Sequence, residues 1–360
     1  MTLLVPEEFL AGLAEIRDAA HQRVYISNSK VTATPSLVEA LSVKIRDIAW
    51  NDPSLAEALA ASNLYLASQV DTPIGWAYAT RSRAQVLHTM RRCAEAQPHL
   101  ERAVQLFSEA GLDAEAGRTM VTEMENLAYL GRYEDAIRLE GPARSALERA
   151  QDRRYLTLIE ISLGNLYYRL KRFAESLAHY EQARPQNDDP ISIAATGMGR
   201  AHVLSDMNRF DEALEAFQTT REHCEKHGLA IWVDIIDRGL CWMYFHRGNY
   251  SAALQKLDQV RQKHEAAHDS RRVGLCDIDR AEIYLQLNLF EDASAVAGRA
   301  FELFEKLGNR YESAMLLTFK GIGEFKLVRN ADAQKSFVRA RELFVQEGNE
   351  IWVAAVDFWL

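Results

Sequence analysis

Residues 281–309 read AEIYLQLNLFEDASAVAGRAFELFEKLGN, and this stretch decides the fold. Ala281 is followed by Tyr284, Phe290, Ala293, Ala297 and Ala300, and the run closes on Gly308-Asn309. These intervals fit two antiparallel helices with small residues where they touch.

Stepping by forty from Phe290 gives Tyr250 and Phe210 backwards, and Asn330 forwards. A step of 37 then gives Phe173, and steps of forty give Tyr133, Cys93 and Pro53. Three residues after these anchors stand Ala56, Ala96, Ala136, Ser176, Ala213, Ala253, Ala293 and Ala333. Nine residues before them stand Lys44, Ala84, Met124, Gly164, Ala201, Cys241, Ala281 and Gly321. A third column, ten residues after, runs Asn63, Ala103, Ala143, Ala183, Thr220, Val260, Ala300 and Ala340. Helices approach closely only where side chains are small, so the columns mark helix–helix contacts. Eighteen residues after the anchors fall Asp71, Gly111, Gln151, Gly228, His268, Gly308 and Gly348, the expected left-handed stops of the second helices. Thr72, Asp113, Asp152, Asp189, Asp269, Asn309 and Asn349 follow as expected N-caps. The 37-residue step is assigned to a shorter link over residues 184–190.

This pattern resembles the tetratricopeptide repeat (TPR). It departs from the family in its period of 40 rather than the usual 34 and in lacking most of the prolines that end the second helix. The resemblance implies an all-α, right-handed α-solenoid of about eight TPR-like helix pairs, with helices of roughly 18 residues. Residues 1–35 are expected to form a leading helix and link, 36–348 the solenoid, and 349–360 the start of a further repeat helix. Gly141-Pro142 falls inside the second helix of the third repeat and predicts a kink or break near residues 140–142.

Composition narrows the function classes. The chain has 360 residues, 48% hydrophobic and 26% charged, as expected for a packed protein. A net charge of -9 gives no basic excess for nucleic acid. No apolar run reaches membrane-spanning length. The N-terminus carries Glu7, Glu8, Glu15 and Asp18 where a secretory signal would be basic and then apolar. Cys93, Cys224, Cys241 and Cys276 form no CxxC, as expected of reduced thiols in the cytoplasm.

Two clusters raise metal chemistry. His264-Glu265-Ala266-Ala267-His268 is an HExxH, which on a helix can share zinc between two histidines with the Glu as base. It would make a zinc-dependent hydrolase the alternative function. Its polar flanks, the place of His268 in the stop column and the lack of a third ligand favour a surface coincidence. His223 and His227 form a second pair, also expected to be solvated. No phosphate loop and no nucleophile elbow is present. The expectation is a protein that is not an enzyme and needs no cofactor.

What remains is surface. In TPR proteins the first helix of each pair lines the concave face. Register carries this onto Gln85, Thr89, Glu125 and Tyr129, then Asn165, Arg169, His202 and Asp206. It continues onto Trp242, His246, Glu282 and Gln286, with His88, Tyr168, Arg238 and Phe325 as neighbours. Mixed polar and aromatic side chains in a groove suit a peptide or protein partner. Trp242 stands out as an apolar ring that is costly to leave in an open groove. The carboxylate clamp of co-chaperone TPRs needs paired Lys and Asn, but Ile161 with Asn165 and Met198 with His202 stand there instead.

Residues 228–240 and 348–360 share Ile-Trp-Val, an aspartate and a leucine at the same offset. The second copy stops at Leu360, where Phe358 and Trp359 are expected to face no partner helix. Residues 163–173, 281–290 and 347–357 resemble the N-terminal TPR half of bacterial CHAT-domain proteins, which carry a caspase-like domain after their repeats. That resemblance implies a sensing or substrate-presenting half, with a C-terminal effector domain outside this chain and no peptidase residues within it.

Overall fold

A computed structural model describes residues 6–29, 31–50, 52–183 and 189–360. Every regular element in them is a helix. The chain separates into two compact units, Met1–Asp152 and Arg153–Leu360.

In the first unit two short helices, α1 (Pro6–Glu15) and α2 (Ala19–Asn28), stand where one leading helix was expected. Asp18 starts α2 by accepting a hydrogen bond from the His21 amide. Three repeats follow. They are α3 (Pro35–Ile48) with α4 (Pro53–Val70), α5 (Pro73–Thr89) with α6 (Cys93–Glu109), and α7 (Asp113–Tyr129) with α8 (Tyr133–Arg138) and α9 (Glu140–Arg149). The interruption at Leu139 is the expected break. Pro142 has no amide for the Arg138 carbonyl, so α8 ends there and Leu139 bridges with φ -76°. The chain keeps its course because the Ala143 amide bonds the Leu139 carbonyl at 3.0 Å.

The second unit holds five more repeats: α10 (Arg153–Arg169) with α11 (Phe173–Ala183), α12 (Pro190–Asp206) with α13 (Phe210–Lys226), α14 (Ala230–His246) with α15 (Tyr250–Ala266), α16 (Ser270–Gln286) with α17 (Phe290–Lys306), and α18 (Arg310–Lys326) with α19 (Asn330–Gln346). A last helix, α20 (Glu350–Asp357), lies against α19. Second helices begin at the anchor residues, and most helices run 17 residues. The +3 column is buried in all eight pairs, from Ala56 to Ala333. In the −9 column Lys44 is only half-buried, as suits a degenerate first repeat. The short link assigned to residues 184–188 lies outside the described residues.

Close approach is most demanding around Tyr180, which is 1% exposed. A Cβ on Gly164 would come within 2.8 Å of its ring, and one on Gly199 within 2.3 Å. Glycine on both neighbouring first helices is therefore what admits the ring.

All seven residues of the stop column have positive φ, from Asp71 at 47° to Gly111 at 70°. At Gly308 the two reverse bonds are Asn309 N–H to Phe304 O, 3.0 Å, and Gly308 N–H to Glu305 O, 3.1 Å, which is the Schellman closure. A second left-handed column lies between the helices of the second to eighth pairs: Arg91, Gly131, Lys171, Asn208, Gly248, Asn288 and Val328. Among the expected N-caps, Thr72, Asp189, Asp269 and Asn349 accept the amide bond. Asp113 does not, because Leu112 is the cap and Asp113 is already in the first turn. Asn309 sits at the cap without a side-chain bond.

Candidate functional site

The first-helix positions singled out from register, neighbours included, fall into two sets, five in the first unit and eleven in the second. In the first unit His88 is the centre. Its Nδ1 lies 3.1 Å from Asn126 Oδ1. Its Nε2 lies 3.9 Å from Glu125 Oε2 and its ring 5.7 Å from that of Tyr129. The Arg91 guanidinium lies 4.1 Å over the Tyr129 ring. Burial, with Arg91 nearby, pushes the His88 pKa down to about 4, so the imidazole is neutral. Gln85 is half-buried one turn before Thr89, whose hydroxyl donates to its carbonyl.

The second unit carries the richer cluster. Helices α10, α12 and α14 pack side by side, and α14 is joined to α16 through side chains. Asp279 of α16 is buried and accepts two bonds from α14. Arg238 Nε donates to one oxygen at 2.5 Å and Trp242 Nε1 to the other at 3.2 Å. The carboxylate is thus neutralised in place, and Trp242 is half-buried, not an apolar ring loose in an open groove. Its ring meets Phe245 edge-on at 5.6 Å and His246 at 6.0 Å.

Asp206 of α12 lies one helix away. His246 Nδ1 approaches its Oδ1 at 3.2 Å, and Tyr168 of α10 also bonds it. Burial opposes ionisation of Asp206, but hydrogen bonds from His246 and Tyr168 outweigh it and its pKa is lowered. Tyr168 is in turn raised, first by burial and then by Asp206. His202 is half-buried with its ring edge-on to Phe217 at 5.3 Å, and burial holds its pKa down to about 4. Glu282 is pushed up to about 7 by burial and by Asp279, against His246 and Lys171. So His202, Asp206, Arg238, Trp242, His246 and Glu282 come together, and Tyr168 joins them.

The remaining positions lie at the margin. The Asn165 side-chain oxygen accepts the Tyr180 hydroxyl at 2.7 Å. Arg169 and Gln286 are exposed. Phe325 is exposed further along, its ring 5.8 Å from that of Trp359. Two members were not anticipated, Asp279 and Lys171. Asp279 could have been found as the residue one turn before Glu282 on the same helix face. Lys171 sits in the second left-handed column, which Gly131, Gly248, Asn208 and Asn288 announce in the sequence.

The HExxH does not form a solvated pair. His264 is 3% exposed, with Nε2 3.6 Å from Asp234 Oδ2. Asp234 also takes Lys263 Nζ at 2.6 Å. His268 is exposed and ends the helix with φ 55°. One histidine is therefore spent on a buried ion cluster and the other on chain reversal. His223 is half-buried, its Nε2 3.2 Å from the Pro190 carbonyl oxygen, while His227 is exposed. Among the described residues no three His, Cys, Asp or Glu side chains are grouped to hold a metal ion. The four cysteines are free and buried. No described helix is long and apolar enough to cross a membrane.

Residues 161–184, which are most of α10's second half, the turn and α11, match the family model described as tetratricopeptide repeat. A Rap protein complexed with competence and sporulation factor is similar over 96% of this chain and 99% of its own, at 14% identity and a TM-score of 0.66. The fold is a TPR-type helical solenoid. The apo quorum sensor NprR from B. thuringiensis shares it at a TM-score of 0.60 and 14% identity, over 94% of this chain and 97% of its own. NprR in complex with its cognate peptide NprX gives 0.55 and 12% identity over 75% and 81%. No curated protein matches the sequence significantly. None of these likenesses is to a CHAT-domain protein, and that resemblance is left without support.

Proposed function

We propose that this TPR solenoid is a non-catalytic scaffold that receives a peptide or protein segment along the first-helix face of its second unit. The observation that carries the reading is the cluster of Tyr168, Asp206, Arg238, Trp242, His246 and Glu282, contributed by four consecutive first helices. It supplies both charge signs and flat rings on one surface, which is what reads an extended backbone with mixed side chains. Gln85, Glu125 and Tyr129 offer a second, smaller contact surface in the first unit. Two solved relatives in fold are recorded with bound partners, competence and sporulation factor on the Rap protein and the peptide NprX on NprR. That supports a peptide as the ligand class here. A regulatory role, in which ligand binding controls an effector domain, belongs to the same reading, as does a cytoplasmic location for a chain with four reduced thiols.

The test is selection of random heptapeptides on the immobilised full chain, followed by anisotropy titration of the selected peptide. Trp242→Ala and His246→Ala should each weaken it at least tenfold while thermal unfolding stays cooperative. Equal affinity in both variants would move the site elsewhere.

A further inference from the structure

Lys171 lies in the turn between α10 and α11, in the left-handed conformation at φ 59°. Its side chain is exposed at the residue level, yet its ammonium is not loose in solvent. It lies 5.5 Å from the centre of the Tyr168 ring and 5.7 Å from that of Phe173. Both are within the range of cation–π attraction. Among the described residues no carboxylate comes within 4 Å of it, although Asp206 and Glu282 both feel its charge.

The charge balance around it is uneven. Asp279 is matched by Arg238. Asp206 has His246 and the Tyr168 hydroxyl, neither of which carries a permanent charge. No side-chain hydrogen bond to Glu282 is formed among the described residues. Two carboxyl groups and two aromatic faces therefore converge where one lysine on an exposed turn supplies, among the described residues, a cation without an ion-pair partner. Burial beside Asp279 holds Glu282 partly protonated, and a well-placed cation would favour its ionised form.

We propose that Lys171 is a resident competitor, occupying in the free protein the subsite where the second unit receives a cationic side chain of its ligand. This rests on the first-helix face being a ligand groove. A lysine on an exposed turn, held by ring faces without an ion pair, swings out at little cost. The incoming guanidinium or ammonium takes over the rings and pairs with Asp206 and Glu282. Lys171 thereby sets a threshold: a neutral ligand gains nothing from displacing it, and a cationic one must outbid it.

Two fluorescein-labelled heptapeptide pools, identical except for arginine or uncharged citrulline at one fixed position, test this by anisotropy on the full chain. The arginine pool should bind wild type more tightly than the citrulline pool. Lys171→Gln should tighten the arginine pool by up to about tenfold, by removing the competing state, and leave the citrulline pool unchanged. Adding Asp206→Asn should remove that gain. Since Lys171 is exposed, Lys171→Gln should fold as wild type does. If Lys171→Gln leaves the ratio of the two pools unchanged or lowers it, while Trp242→Ala still weakens binding, the competitor is refuted and the groove stands. If neither pool binds, or binding ignores Trp242→Ala, both the groove and the competitor fall.

Discussion

Val328 holds a backbone conformation at φ 62° that β-branched residues avoid, with its side chain 79% exposed. Nothing packed around it repays the strain. Val328→Gly should therefore stabilise the protein by about 1 kcal/mol, read as a shift of the urea midpoint without a change in slope. An unchanged midpoint would mean that the turn is not left-handed there. His88 makes the opposite kind of statement. It is 7% exposed and its pKa falls to about 4 in the fold, against about 6.5 when unfolded. Between these values the unfolded chain binds the proton and the folded chain does not, so stability is lost as pH falls from about 6.5 to 4, by on the order of 3 kcal/mol. His88→Phe should flatten that part of the pH–stability curve. Glu282 runs the other way: its pKa is raised to about 7, so its contribution weakens stability as pH rises from about 4.5 to 7. A His88→Phe curve as steep as wild type would refute the neutral buried imidazole.

The helix pair is the unit that the sequence announces most clearly. Spacing of small residues locates contacts because backbone approach tolerates only small side chains, and that requirement repeats in every pair. Ala293 is fully buried between the helices of its repeat, whereas Glu291, two residues before it in the first turn of α17, is exposed and pairs with Arg329 at 2.9 Å. Ala293→Leu should cost about 1–3 kcal/mol by overpacking, and Glu291→Ala under about 1 kcal/mol. Equal losses in denaturant titrations would contradict the assigned pairing. The break at Leu139 was legible because Pro142 sits deep in a register that otherwise demands helix. Pro98 shows the limit of that argument, since α6 continues through it. It lies only five residues after Cys93 begins the helix, near the turn where missing amide bonds are normal. The paired leading helices α1 and α2 were illegible because they stand outside the repeat and have no column to join. Likewise Trp359 finds Phe337 at 6.0 Å, although Phe358 beside it is 82% exposed. Repeat register led to the expectation that Trp359 faces no partner helix, and could not foresee its ring folding back on α19 of the preceding repeat.

At the scale of the molecule, register named most residues of the proposed site but not the bonds among them. It placed Asp206, Trp242 and Glu282 on one face because those positions share a phase of the helix. It could not show that Asp279 ties Arg238 and Trp242 together, since side-chain pairing across α14 and α16 depends on the distance between first helices, which small-residue columns at the other contact do not set. It also treated His264 as solvated, whereas Asp234 draws it inside. The central claim is that the first-helix face of the second unit receives a peptide. Amide hydrogen exchange of the full chain, with and without a selected heptapeptide at saturation, tests it most directly. The account predicts slowed exchange in α12, α14 and α16 and in the turn holding Lys171, with α13, α15 and α17 unchanged on their exposed sides. Protection confined to the second helices would contradict it, as would failure of any peptide to be retained.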